Sequence, residues 1–148
     1  YAEYAGVVMK DVFYGWIDTI KPLIAERLGS VICFGDGKGK FRMKDLPADM
    51  QLSPIFAFQK ISDQNKYVSG GNFFDVIPYE GQYDAQPLAV FSASGDSISS
   101  VPFSQLPKYN GQVRDLKLLK SSRYGELLLV AGNNDSLVGM RFNPVSKF

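Results

Sequence analysis

From Gly29 onward the chain is written in short runs rich in Val, Ile, Phe, Tyr and Leu, each bounded by Gly, Pro, Asn, Asp or Ser. That pattern predicts β-strands near 30–34, 40–45, 54–60, 66–71, 88–93, 99–104, 112–119, 125–131 and 136–142. The opening differs. Val7, Val8, Val12, Phe13, Trp16, Ile17, Ile20, Leu23 and Ile24 recur at three- and four-residue steps, which places them on one helical face. Gly15 and Pro22 interrupt the spacing, so two short helical pieces are expected near 7–14 and 19–27, with their apolar stripe packed on the sheet.

The β region repeats itself at a spacing of roughly sixty residues. The first copy runs through Val31-Ile32-Cys33-Phe34, a Gly35-Asp36-Gly37-Lys38-Gly39 turn, Phe41-Arg42-Met43, Leu46-Pro47, a second hairpin and the stop Gly71-Asn72. The second runs through Leu88-Ala89-Val90-Phe91, a Ser94-Gly95-Asp96 turn, Leu106-Pro107, another hairpin and Gly132-Asn133-Asn134-Asp135. A unit of about four short strands cannot bury both of its faces alone, so it must stack on neighbours. The expected fold is mainly β: a propeller-like array of about two to three four-stranded antiparallel blades behind a helical lead-in at 1–28. Residues 29–47 would end one blade, 54–107 would form a complete one, and 112–148 most of a closing blade whose fourth strand comes from elsewhere. A start at Tyr1 rather than methionine, with a first repeat that begins mid-blade, is what a fragment or processed product of a longer protein would give.

With 148 residues, 45% of them apolar, and 11 Phe, 8 Tyr and 1 Trp, the chain can build a sizeable core. Its 16 basic and 15 acidic residues are scattered, which leaves no electrostatic footprint for nucleic acid or an anionic membrane. No apolar run reaches the roughly eighteen residues of a membrane span. Histidine is absent, which excludes Ser-His and Cys-His triads and removes the commonest metal ligand. The single cysteine, Cys33, reads as a small buried hydrophobe in a strand and can form no intrachain disulfide.

The phrase from Gly70-Gly71-Asn72-Phe73-Phe74-Asp75 through Tyr79-Glu80-Gly81-Gln82-Tyr83-Asp84-Ala85, with Val113-Arg114-Asp115-Leu116 and Leu127-Leu128-Leu129-Val130-Ala131-Gly132-Asn133, resembles the carboxy-terminal blades of bacterial FG-GAP/VCBS-repeat β-propeller proteins. The resemblance covers the chain from Gly29 onward. It implies a propeller exported to the cell envelope, surface or outer membrane, with a role in binding or assembly rather than catalysis. Where that family carries calcium, an acid-rich loop joins the first two strands of a blade. Here the matching loops, 61–66 and 120–125, hold one acid beside a lysine and none, too few for a calcium shell. The Asp36 turn, with Lys38 and Lys40, reads as a hairpin in which glycine supplies positive φ. No metal and no cofactor are expected.

One segment breaks the rhythm of the strands. Residues 73–85 are longer and more aromatic than a hairpin connection needs, which makes Phe73, Phe74, Tyr79, Glu80, Tyr83 and Asp84 the candidate binding loop. Glu80 with Asp84 has the composition of a sugar-cleaving carboxylate pair, and the rings that of a sugar-stacking platform. The plainer reading is structural: at least two of the four rings largely buried, and Asp84 accepting amide hydrogen bonds within the loop. Asp115 likewise reads as a hydrogen bond or ion pair between blades rather than a catalytic acid. Two functions follow: a non-catalytic surface segment that docks a protein partner or further blades, and a glycan-binding module or part of a carbohydrate-active surface protein that uses the 73–85 rings.

Overall fold

The computed structural model describes residues 5–62, 65–77, 79, 81–102, 106 and 108–141. It is mainly β, and the described residues form nine strands in three antiparallel sheets. The first sheet is a hairpin of β1 (Val31–Gly35) and β2 (Phe41–Asp45). The middle sheet is a four-stranded meander of β3 (Ile55–Ser62), β4 (Lys66–Gly71), β5 (Ala89–Ser94) and β6 (Ser97–Val101). The last sheet holds β7 (Val113–Ser121), β8 (Gly125–Gly132) and β9 (Val138–Arg141).

Local chemistry sets the hairpins. Asp36 folds the first turn by accepting amide hydrogen bonds from Lys38 at 2.7 Å and Lys40 at 3.0 Å, with Gly37 at φ 72° and Gly39 at φ 89°. Between β5 and β6 only Gly95-Asp96 separates the paired Ser94 and Ser97, and Gly95 takes the positive φ that a two-residue loop of type II′ requires at its first position. Asn134, at φ 52°, turns the chain between β8 and β9.

Alternation along the middle sheet splits its side chains between two cores. Ala57, Ile61, Val68, Leu88 and Val90 meet Val113, Leu116, Leu128, Val130 and Met140 of the last sheet. Phe91 and, partly buried around it, Tyr67, Ala89 and Ile98 meet Leu46, Met50 and Ile32 from the first hairpin and the turn after it. The middle sheet is therefore covered on one face by the last sheet and partly on the other, where Phe58 beside Phe91 stays 50% exposed. Gly70 sits at the contact with the last sheet: a Cβ there would stand 2.8 Å from a methyl of Val113 and 2.9 Å from a methyl of Leu88, which precedes β5.

The middle and last sheets share two construction details. Each first strand slips register at its second residue, between Ile55 and Ala57 and between Val113 and Asp115. Each second strand is followed by an asparagine whose amide closes back onto the residue before the first strand: Asn72 N–H to the Pro54 carbonyl at 3.0 Å, Asn133 N–H to the Gln112 carbonyl at 2.8 Å.

Three expectations need correction. The helical opening is shorter than its periodicity predicts: α1 spans Met9–Val12, a single 3-10 turn spans Ile17–Thr19, and 20–30 is without helix. Gly15 takes φ 76° and Pro22 can donate no amide, so neither piece can lengthen. The stripe does not pack on a sheet, and Leu23 is 98% exposed. Cys33 is exposed rather than buried, because it lies opposite Met43 on the outer face of the first hairpin, which no described element covers.

Candidate functional site

The 73–85 segment leaves the end of β4 and returns toward β5, and its base is closed by backbone. Phe73 and Tyr83 exchange two hydrogen bonds, each 2.9 Å long, as an isolated antiparallel bridge. Ser53, buried beneath, donates its hydroxyl to the Tyr83 carbonyl at 2.7 Å. The residue that makes this possible is Asn72. It takes φ 75°, a left-handed conformation that asparagine tolerates, and turns the chain out of the sheet.

Asn72 is also fully buried, and its side chain is satisfied at both ends. Its carboxamide oxygen accepts the Gln86 amide at 3.0 Å, which ties the returning end of the loop to its start. Its Nδ2 donates to the Asn110 carbonyl at 3.1 Å, on the approach to β7. Its backbone carbonyl accepts from Arg114 Nη1 at 3.1 Å.

Arg114 then links the two sheets. Its guanidinium lies 4.4 Å from the centre of the Phe56 ring, and its Nη2 donates to Gln112 Oε1 at 2.9 Å. The same Gln112 oxygen accepts the Phe74 amide at 3.0 Å. Phe56 in turn meets Phe73, with ring centres 6.4 Å apart and planes at 51°. Phe56 and Arg114 occupy the two shifted positions, one in each sheet, where the bulge releases a side chain from the strict alternation.

These contacts change the sequence reading of the loop. The rings divide into two pairs: Phe73 and Phe74 are covered over most of their surface, whereas Tyr83 is 48% and Tyr79 84% exposed. Asp84 is exposed and makes no hydrogen bond among the described residues, so the anchoring expected of it belongs to Asn72, with Gln112 and Ser53. Glu80 lies outside the described residues, and its pairing with Asp84 has no geometry here. Asp115 does not bridge sheets either: its Oδ1 accepts its neighbour Leu116's amide at 2.9 Å and faces Lys117 Nζ at 3.9 Å along the same strand. The bridging side chain is its neighbour Arg114.

The anchors Asn72, Gln112, Arg114 and Ser53 were not picked from the sequence. A signal for Asn72 was present, since an asparagine after two glycines at a strand end is a ready left-handed residue. Nothing comparable marks Gln112 or Arg114.

What the arrangement offers is a rigid base carrying exposed phenols. Tyr79 and Tyr83, with Ile77 half-exposed between the anchored ends, stand in solvent on a loop pinned to two sheets. Phe73 is tilted against Phe56 and occupied by that contact, so the four rings do not form one flat platform. Among the described residues no group of three or more acids and cysteines could hold a metal ion. No helix is long and apolar enough to cross a membrane among the described residues. Comparison with protein families, with curated proteins and with solved structures gives no match to this chain.

Proposed function

We propose that the chain is a segment of an exported FG-GAP/VCBS-like β-propeller that binds a protein partner, without catalysis, through the 73–85 loop at the rim of its complete blade. The observation that carries this reading is the pairing of an over-determined loop base with exposed tips: Asn72 is buried and fully hydrogen-bonded, while Tyr79 at the apex is 84% exposed. Tyrosine on a rigid loop is well suited to docking protein, since it brings large contact area with few rotamers to freeze. The propeller part of the reading draws support from a buried cluster against each face of the middle sheet and from the matched bulges and closing hydrogen bonds of the two larger sheets. The absence of histidine supports a non-catalytic role.

A glycan partner is the second reading, favoured by the solvent-facing Tyr79 and Tyr83 rings and opposed by the tilt of Phe73. One experiment separates the two. A photo-crosslinking phenylalanine placed at Tyr79 should capture a polypeptide from cell-envelope extract, and Tyr83→Ala should weaken the capture without moving the melting temperature. Binding to immobilised oligosaccharides that is lost in Tyr79→Ala, with no polypeptide captured, would replace the first reading by the second.

A further inference from the structure

The chain as a whole carries a formal charge of +1, yet between Lys66 and Lys108 the sequence holds four acids, Asp75, Glu80, Asp84 and Asp96, and neither lysine nor arginine. Asp75 and Asp84 stand exposed on the rim loop, and neither forms an ion pair among the described residues. Asn133 Nδ2 lies 3.5 Å from Asp75 Oδ2, which brings the β8–β9 turn and the exposed Asp135 beside the loop. Arg114, at the loop's root, turns its donors inward. Its guanidinium faces the Phe56 ring and donates to the Asn72 and Val113 carbonyls and to Gln112 Oε1.

The loop is also short of donors. Asp84 accepts no hydrogen bond among the described residues, and Asp75 has only the long contact with Asn133. At the returning root of the loop Gln86 is 2% exposed, and its Oε1 is the one buried side-chain polar atom without a hydrogen-bond partner among the described residues. Carboxylate and amide oxygens only accept, so what fits here brings N–H groups. A single metal ion does not meet that need, because no three acids or cysteines converge among the described residues. Carboxylates that do not converge suit separate cations carried on one chain.

Between Asp75 and Asp84 in sequence stand Tyr79, 84% exposed, and Tyr83, 48% exposed. A guanidinium stacks on a tyrosine face while its N–H groups reach a carboxylate, a pairing that an ammonium makes less well. We infer that the rim loop docks a polypeptide segment rich in arginine, whose side chains lie on Tyr79 and Tyr83 and donate to Asp75 and Asp84. The inference deepens the proposed binding of a protein partner and rests on it, adding the chemistry of that partner. Because the acids are exposed, their attraction acts mainly on encounter and fades with salt.

The probe is a fluorescent oligo-arginine peptide, compared by anisotropy with its citrulline counterpart, which keeps the shape and loses the charge. The native chain should bind the first several-fold more tightly than the second, and the difference should shrink as salt is raised from low to physiological strength. Asp75→Asn with Asp84→Asn should weaken oligo-arginine binding several-fold at an unchanged melting temperature, and Tyr79→Ala should weaken it at both salt levels. Asp18→Asn with Glu26→Gln removes the same charge from the exposed opening segment and should leave binding as it is. Equal binding of the two peptides, or equal losses in the two double variants, overturns the inference. So does capture at Tyr79 of an envelope polypeptide that persists unchanged in Asp75→Asn with Asp84→Asn, a result that leaves the rim-loop reading standing. Oligosaccharide binding that needs Tyr79, with no polypeptide captured and no oligo-arginine bound, overturns both.

Discussion

Arg114 of the last sheet lies with its guanidinium 4.4 Å from the centre of the Phe56 ring in the middle sheet, and both residues sit at the register slip of their own first strand. The two sheets are thereby joined at equivalent points. The same guanidinium donates to the Asn72 carbonyl and to Gln112, so the joint also fixes where the 73–85 loop departs.

Arg114→Ala should lower stability by about 1–2 kcal/mol, the loss of a partly buried cation–π contact and of the guanidinium's hydrogen bonds to Asn72, Val113 and Gln112. Arg114→Lys should recover less than half of it, since an ammonium cannot stack flat on Phe56 while reaching those acceptors. Denaturant midpoints of the two variants check this. Equal stability of Arg114→Lys and the native chain would show that charge alone matters.

Asn72 and Asp84 should differ sharply under the same substitution. Asn72→Ala leaves the Gln86 amide and the Asn110 carbonyl without partners and puts alanine at φ 75°, at a cost of about 2–4 kcal/mol. Asp84→Ala, exposed, should stay within about 0.5 kcal/mol of the native chain. Thermal melts measured side by side decide it, and a large loss at Asp84 would return the anchoring role to that residue.

The contrast between these residues shows what the sequence could reveal. All nine strands were legible, because period-two alternation and turn residues such as Asp36, Gly95 and Asn134 act within a few positions of themselves. Burial at Cys33 and along the opening segment was not, because it depends on what lies on top, and alternation names a face without naming its cover. The exchange of roles between Asp115 and Arg114 has a sharper cause. A bulge after Val113 re-aims the next side chain, and nothing in an alternating pattern marks where a bulge falls. In the loop, the phenylalanines are mostly covered but ring composition did not name the anchors. Backbone pairing and one left-handed asparagine hold it, which leaves the tyrosines free.

Gly70→Ala should destabilise by about 1–3 kcal/mol, as a methyl is driven into Val113 of the last sheet and into the neighbouring Leu88. Adding Val113→Ala should make the pair of substitutions less costly than their separate effects summed. A double-mutant cycle with zero coupling would contradict the packing described at that point.

Acid should loosen the first hairpin. Amide hydrogen bonds from Lys38 and Lys40 hold the Asp36 carboxyl below its ordinary 3.8, and the Arg42 hydrogen bond with its charge does the same for Asp96, which joins the hairpin to the β5–β6 turn. Both groups take up protons more readily when released, so their contribution is complete above about 3.8 and is lost as pH falls from there through the lowered folded values. Chemical shifts of Ile32 and Phe34 followed between neutral and acid pH should move in that window, and the Asp36→Asn, Asp96→Asn double variant should flatten the change.

The central claim is a stack in which the middle sheet has a buried cluster against each face, and hydrogen exchange tests it most directly. β4 has a paired strand on each edge, one core on one face and the other core on the opposite face. The amides of Tyr67, Val68 and Ser69 should therefore exchange slowest in the molecule, and those of β2 and β9, at the open ends of the stack, fastest among the strands. Slowest exchange in β2 or β9, or uniform exchange across all nine strands, would contradict the stacked arrangement.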